Sequence, residues 1–193
     1  MNLKTSQLDE MARPDGRPQP RAAGMPETRE MRRIFGRFAT GITVVTAGRE
    51  TPRGMTANAF TSVSLEPPLV LVCVQRNSTI HETISEAGSF AVSVLAAHQE
   101  QEARLFADRN RPRGEREFEA VDTVPGPYSG APILAGALAW LECELASVYD
   151  GGDHSIFLGQ VQTLGRGKTE DALLFFDGGF HRLEPEVILP NTA

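Results

Sequence analysis

The chain has 193 residues, 40% of them hydrophobic and 23% charged, with 18 glycines and 13 prolines; collagen-like, low-complexity and wholly disordered chains are excluded, and one globular domain is expected. Nineteen lysines and arginines against 25 aspartates and glutamates give a formal charge of −6, which argues against a surface built for nucleic acid or an anionic membrane. No run approaches the ~18–20 apolar residues that span a bilayer and no signal-peptide core is visible, so a cytoplasmic location is expected, where Cys73 and Cys143, each inside an apolar run, stay reduced.

Residues 1–26 are rich in proline and glycine among scattered charges and predict a flexible arm. From Glu27, apolar Met31, Ile34, Phe35 and Phe38 recur at i, i+3, i+4, i+7 and predict a helix ending near Gly41. Ile42–Ala47 is a β-branched strand, and Gly48–Gly54 has the composition of a turn. Met55–Leu65 reads as a single strand of small and hydroxylated residues, broken by Pro67-Pro68 before the apolar strand Leu69–Val74. Thr79 and Glu82 form a possible capping box for a short helix with Ile80 and Ile84 inward, stopped by Gly88. Ser89–Leu95 is a further strand and 98–107 a helix, whereas 108–132 is charged and then Pro/Gly-rich, an excursion or loop. Ala137–Tyr149 and His154–Leu164 form a hairpin about Asp150–Asp153, and Ala172–Phe176 with Phe180–Leu183 form a last one before a tail at 186–193. Strands joined mostly by turns make a closed antiparallel barrel with a few flanking helices more economical than a doubly wound sheet.

Familiar catalytic patterns are missing. No G-x-G-x-x-G follows a strand, no C-x-x-C, H-E-x-x-H or G-x-S-x-G occurs, and the GKT at Gly167 has Gln162 where a phosphate loop requires glycine. What stands out is Arg53–Ser64 followed by Gln75–Thr79. Thr56, Asn58, Thr61, Ser62 and Ser64 put uncharged donors and acceptors on an apolar strand, the mixture a flat heteroaromatic ring asks for. Arg76, Asn77, Ser78 and Thr79, at a helix start, suit a phosphate. The same residues read equally well as an edge strand with solvated hydroxyls and an ordinary helix cap.

These segments carry a resemblance. Phe35–Ala47 (FGRFATGITVVTA), Arg53–Val74 (RGMTANAFTSVSLEPPLVLVCV), Leu141–Val161 (containing GGDH and LGQV) and Leu173–Leu183 resemble the flavin reductase-like family, the reductase components of two-component flavin-dependent monooxygenases, over about Met31 to Leu183. The resemblance implies a mainly β fold with flanking helices, a six-stranded antiparallel split barrel over residues 27–185, working as a homodimer. It further implies FMN or FAD in a groove with NADH or NADPH stacked on it. By position, Thr56, Ala57, Asn58 and Ala59 would face the flavin ring, Ser62, Val63 and Ser64 would continue that contact, and Gln75, Arg76, Asn77 and Ser78 would lie by ribityl and phosphate. His154 would adjoin the nicotinamide; by itself it reads as a turn histidine paired with Asp153 or a carbonyl. The expected activity is hydride transfer from NAD(P)H to flavin, supplying a partner monooxygenase. An FMN-dependent oxidase resembling pyridoxamine-phosphate oxidase and a non-catalytic flavin-binding protein use the same barrel, and fold alone does not choose among them.

Overall fold

The computed structural model describes residues 26–112, 114–168 and 171–183; nearly all of the expected arm, and the expected tail, lie outside them. The chain divides into two units, Met1–Phe35 and Gly36–Ala193. In the first, Glu27 accepts the Met31 N–H at 3.0 Å and opens helix α1 (Thr28–Phe35), with Glu30 in its first turn and Arg32 and Arg33 in its last, as the helix dipole favours. The helix stops at Phe35 instead of Gly41, because Thr40 and Gly41 are taken into a strand, paired with Phe175 and Leu174.

The second unit contains β1 (Thr40–Gly41), β2 (Thr43–Ala47), β3 (Arg53–Ala57), β4 (Phe60–Leu65), β5 (Pro68–Gln75), α2 (Thr79–Ala87), β6 (Ser89–Val94) and α3 (Glu100–Ala107). It continues through β7 (Thr123–Pro125), β8 (Pro132–Leu134), β9 (Ala139–Gly151), β10 (His154–Arg166), β11 (Leu173–Phe176) and β12 (Gly179–Arg182). The main sheet is antiparallel and has seven strands in the order β3-β2-β6-β9-β10-β5-β4. The strand expected over 55–65 is two strands with different partners: Ala57 pairs with Thr43 on β2, whereas Phe60 pairs with Val72 on β5. β3 and β4 are therefore opposite edges of one sheet, joined only by Asn58 and Ala59. Laid flat, those edges would stand about 29 Å apart at ~4.8 Å per strand, yet three Cα steps reach at most ~11 Å. The sheet must curl until its edges meet at Asn58-Ala59, and it stays open there because β3 and β4 do not pair.

Inside the curl, Val45, Val72, Val74, Phe90, Val92 and Phe157 are buried together under Ile80 and Ile84 of α2. Val44 points the other way and joins Leu95, Ala103, Phe106, Leu134 and Leu173. All five residues of β2, Thr43 and Thr46 included, are buried, so this strand is covered on both faces. Gly159, at a register shift of β10, has no room for a side chain: a Cβ there would lie 2.5 Å from Phe90 Cζ and 2.7 Å from Cys143 Cβ. Gly159→Ala is expected to lower unfolding free energy by about 1–3 kcal/mol through overpacking, seen as a lower urea midpoint at unchanged slope.

Local details depart from expectation in two places. The N-cap of α2 is Ser78, not Thr79, and no capping box forms; the Ser78 hydroxyl turns back to donate to the Gln75 carbonyl at 2.6 Å. Gly88 does end that helix, in the left-handed region at φ 62°. The β9–β10 hairpin closes on Gly152 and Asp153, with Gly151 paired to His154; positive φ at Gly152 alone fits a type II′ turn. Residues 108–132 contain structure of their own, a 3₁₀ turn at Gly114–Glu117 and the β7–β8 hairpin. Buried Glu142 pins that hairpin, accepting the Tyr128 and Ser129 N–H groups at 2.9 and 2.8 Å and the Ser129 hydroxyl at 2.6 Å.

Candidate active site

The curl leaves two adjoining cavities at the end of the sheet where β3, β5 and the β9–β10 turn converge. The smaller, about 390 Å³, runs along the seam and is lined by Met55, Thr56, Ala57, Asn58, Ala59, Cys73, Gly151 and His154. The larger, about 440 Å³, passes under α2 and α3, with Gln75, Asn77, Ser78, Thr79, Phe106, Arg109, Arg111 and Glu117 on its wall. Met55, Thr56 and His154 line both. Each volume lies within the ~300–1,000 Å³ typical of small-molecule sites.

Eight of the twelve expected site residues line these cavities: Thr56, Ala57, Asn58, Ala59, Gln75, Asn77, Ser78 and His154. The Thr56 hydroxyl is turned away, donating to the Ala103 carbonyl at 2.6 Å and tying β3 to α3. Ser62, Val63 and Ser64 sit on edge strand β4 at a bulge and line neither cavity. Arg76 lines neither as well: its guanidinium lies 2.9 Å from Asp150 and 3.3 Å from the His154 carbonyl, bracing the hairpin turn. The Gly152 N–H at 2.8 Å, followed by Arg76, holds the Asp150 carboxyl below the usual range.

His154 Nδ1 lies 2.8 Å from Asp153 Oδ1, which orients the ring and holds the Asp153 carboxyl low. The turn reading of this histidine and its place on both cavities are thus met by one geometry. His81, on α2, bonds the Ser155 hydroxyl at 2.9 Å and stands edge-on to Phe157; burial, then the Arg76 charge, lowers its pKa. The folded state therefore binds the extra proton less readily than the unfolded chain. Stability is at its full level above the ordinary imidazole pKa of ~6.5 and falls as pH drops below it. His81→Gln is expected to flatten that loss between pH 7.5 and 5.5 in urea titrations.

Sequence reasoning missed the far wall. Glu117 is buried and accepts Arg111 Nε and Nη2 at 3.0 and 2.9 Å and the Gly54 N–H at 3.0 Å, with Arg53 at 3.7 Å. Arg111 also donates to the carbonyls of Asp108, at 2.8 Å, and Gly54. These contacts fasten the segment after α3 across β3 and set Arg109 beside Gln75, Nη2 to Oε1 at 2.9 Å. Both cysteines are free; burial raises the thiol pKa of each, Cys143 to about 12.

The seam cavity offers Ala57, Ala59 and Gly151, which let backbone approach a ring edge, with the Asn58 amide and an imidazole alongside. The larger cavity offers hydroxyl, amide and guanidinium groups suited to a polyol and a phosphate. That donor set fits a flavin, and the class so defined is a small β-sheet flavin-binding protein. The model of the flavin reductase like domain matches residues 35–184, and the chain belongs to that family. It is 54% identical over 157 residues, 81% of this chain and 86% of the relative, to an NADH-dependent FAD reductase of Streptomyces globisporus. It is 37% identical, over 88% of this chain and 85% of the relative, to the reductase subunit HsaB of a flavin-dependent monooxygenase from Rhodococcus jostii. Among solved structures, BorF, the flavin reductase component of a bacterial two-component tryptophan halogenase, superposes with a TM-score of 0.79 at 50% identity, covering 82% of this chain and 99% of BorF.

Proposed function

We propose that this chain is an NAD(P)H:flavin oxidoreductase that moves hydride from NADH or NADPH to FAD or FMN and passes the reduced flavin to a partner monooxygenase. The observation that carries the reading is the pair of cavities meeting at Met55, Thr56 and His154, one shaped for a ring and one for a phosphorylated chain. A flavin held there supplies the hydride acceptor, and the protein's task is to bring the two rings to about 3–3.5 Å. Thr56, Ala57, Asn58 and Ala59 border the ring; Ser62, Val63 and Ser64 continue its surroundings along β4. Gln75, Asn77 and Ser78 face the ribityl chain and phosphate, with Arg76 bracing the turn behind them. His154, steadied by Asp153, orients the nicotinamide at the open side of the seam.

The finer fold reading, a six-stranded split barrel within residues 27–185, is supported by the curled sheet if β3 and β4 count as one strand interrupted at the seam. A homodimer is supported by apolar side chains left uncovered: Phe38, Leu65 and Leu164 are 77%, 87% and 70% exposed. A cytoplasmic site of action is consistent with two free thiols, and among the described residues no helix is long and apolar enough to cross a membrane.

The test is loss of nicotinamide absorbance at 340 nm on adding flavin to the purified protein, run with two flavins and two nicotinamides. Turnover that requires added flavin is expected. A yellow protein that consumes no NAD(P)H would point to an oxidase on another substrate, and binding without reduction to a flavin carrier. His154→Ala is expected to raise the KM for the nicotinamide by about tenfold, the loss of one good polar contact, with flavin affinity nearly intact.

A further inference from the structure

We infer that Arg109, outside the segment given the phosphate above, is the residue that recognises the flavin's phosphoryl group; the inference rests on the flavin-reductase reading and names how that site tells phosphorylated flavins from riboflavin. Two guanidinium groups and one carboxyl group line the larger cavity: Arg109, Arg111 and Glu117. Arg111 is committed to Glu117 and to two carbonyls, with four of its five N–H groups engaged and its guanidinium fixed in place. Arg76, the cation next to the helix start in sequence, is tied to Asp150 and the His154 carbonyl on the other side of the β5 end.

Arg109 differs from both. Its partner is the neutral Gln75 amide at 2.9 Å, and among the described residues no carboxylate pairs with it. Its backbone is firmly held from both sides: the Asp108 N–H closes α3 on the Arg104 and Leu105 carbonyls at 3.1 Å, and the buried Glu117 pair anchors Arg111. The guanidinium therefore projects from a fixed base into a cavity whose facing wall, Asn77, Ser78 and Thr79, is neutral. Glu117, the one carboxylate among the residues lining the cavity, stands on the opposite wall and is outnumbered by Arg111 and Arg53, so the local balance is positive before Arg109 is counted. A planar guanidinium is matched to a phosphoryl group by two parallel N–H donors, and a phosphate oxygen is a stronger acceptor than the amide it would displace. Gln75 holds Arg109 in place until then.

FMN and FAD carry phosphoryl groups and riboflavin carries none, so binding itself separates the terms. Wild type, Arg109→Ala and Arg109→Lys are titrated with FMN, FAD and riboflavin by quenching of flavin fluorescence, at low salt and at ~0.3 M salt. Wild type is expected to hold FMN on the order of 10- to 100-fold more tightly than riboflavin, with a salt-sensitive FMN Kd and a salt-insensitive riboflavin Kd. Arg109→Ala is expected to abolish that margin and its salt dependence while leaving riboflavin affinity unchanged, and Arg109→Lys to restore part of it. The proposal is overturned if Arg109→Ala weakens riboflavin as much as FMN, if FMN affinity does not change, or if only the KM for the nicotinamide moves, which would place the phosphate on the dinucleotide. Wild type that binds no flavin at all would remove the reductase reading and this inference with it; wild type binding with an indifferent Arg109 removes the inference alone.

Discussion

Replacing Glu117 by alanine is expected to cost about 3–5 kcal/mol of unfolding free energy, more than any surface ion pair in this chain. The carboxylate side chain is 1% exposed and its partners Arg111 and Arg53 only 15% and 22%, so its loss leaves two guanidinium groups facing each other across a mostly dry wall. It also orphans the Gly54 N–H in the middle of β3. Glu117→Gln keeps an acceptor for that N–H and should lose less. Removing the charge on both sides, in Glu117→Ala with Arg111→Met, should be milder than Glu117→Ala alone, because the larger part of the cost is the uncompensated cation. Urea titrations of the three variants decide it; a midpoint unmoved by Glu117→Ala would show that water screens the pair. Phosphorylated flavins should bind the alanine variant poorly, since the anchor of the Arg109 segment is gone.

How far these features could be read beforehand depended on whether they are local. The β9–β10 hairpin, the stop at Gly88 and the presence of strand β2 were legible because a glycine-rich turn, a left-handed glycine and a β-branched run each act within a few residues. The break at Asn58-Ala59 was not, because nothing local distinguishes a strand that changes partners from one that runs on; the change is imposed by closing the sheet. Four residues of the Thr56–Ser64 stretch, Thr56 to Ala59, do line the seam cavity, and the small residues beside a hydroxyl and an amide were the signal for them. The opposite wall could not, since Glu117 is one acid in the alternating run GERE, which reads as solvated, and only folding carries it beneath β3. The nearest signal was Phe118 directly after that run, an aromatic that packs on Phe106. Arg76 shows the converse: its place in the sequence suggested phosphate, but Asp150, far along the chain, takes its charge.

Cys73→Phe should abolish measurable flavin turnover while leaving the fold standing. Along β5 the inward positions are Val70, Val72 and Val74, all buried, whereas Cys73 points to the other face, half-exposed, into the seam cavity. A phenyl ring there adds volume to the space bounded by Ala57, Asn58, Ala59 and His154 and none to the core. Overpacking of a site costs about 1–3 kcal/mol, which sets a loss of flavin affinity of roughly 10- to 100-fold and stops the nicotinamide from closing on the ring. Cys73→Ser is the control, with similar volume and near wild-type affinity, because it adds no bulk to the cavity; partial burial raises the native thiol's pKa and so lowers its thiolate fraction. Thermal unfolding of both variants should match wild type. A Cys73→Phe protein that still reduced flavin at the normal rate would mean that the ring lies elsewhere than along the β3–β5 seam.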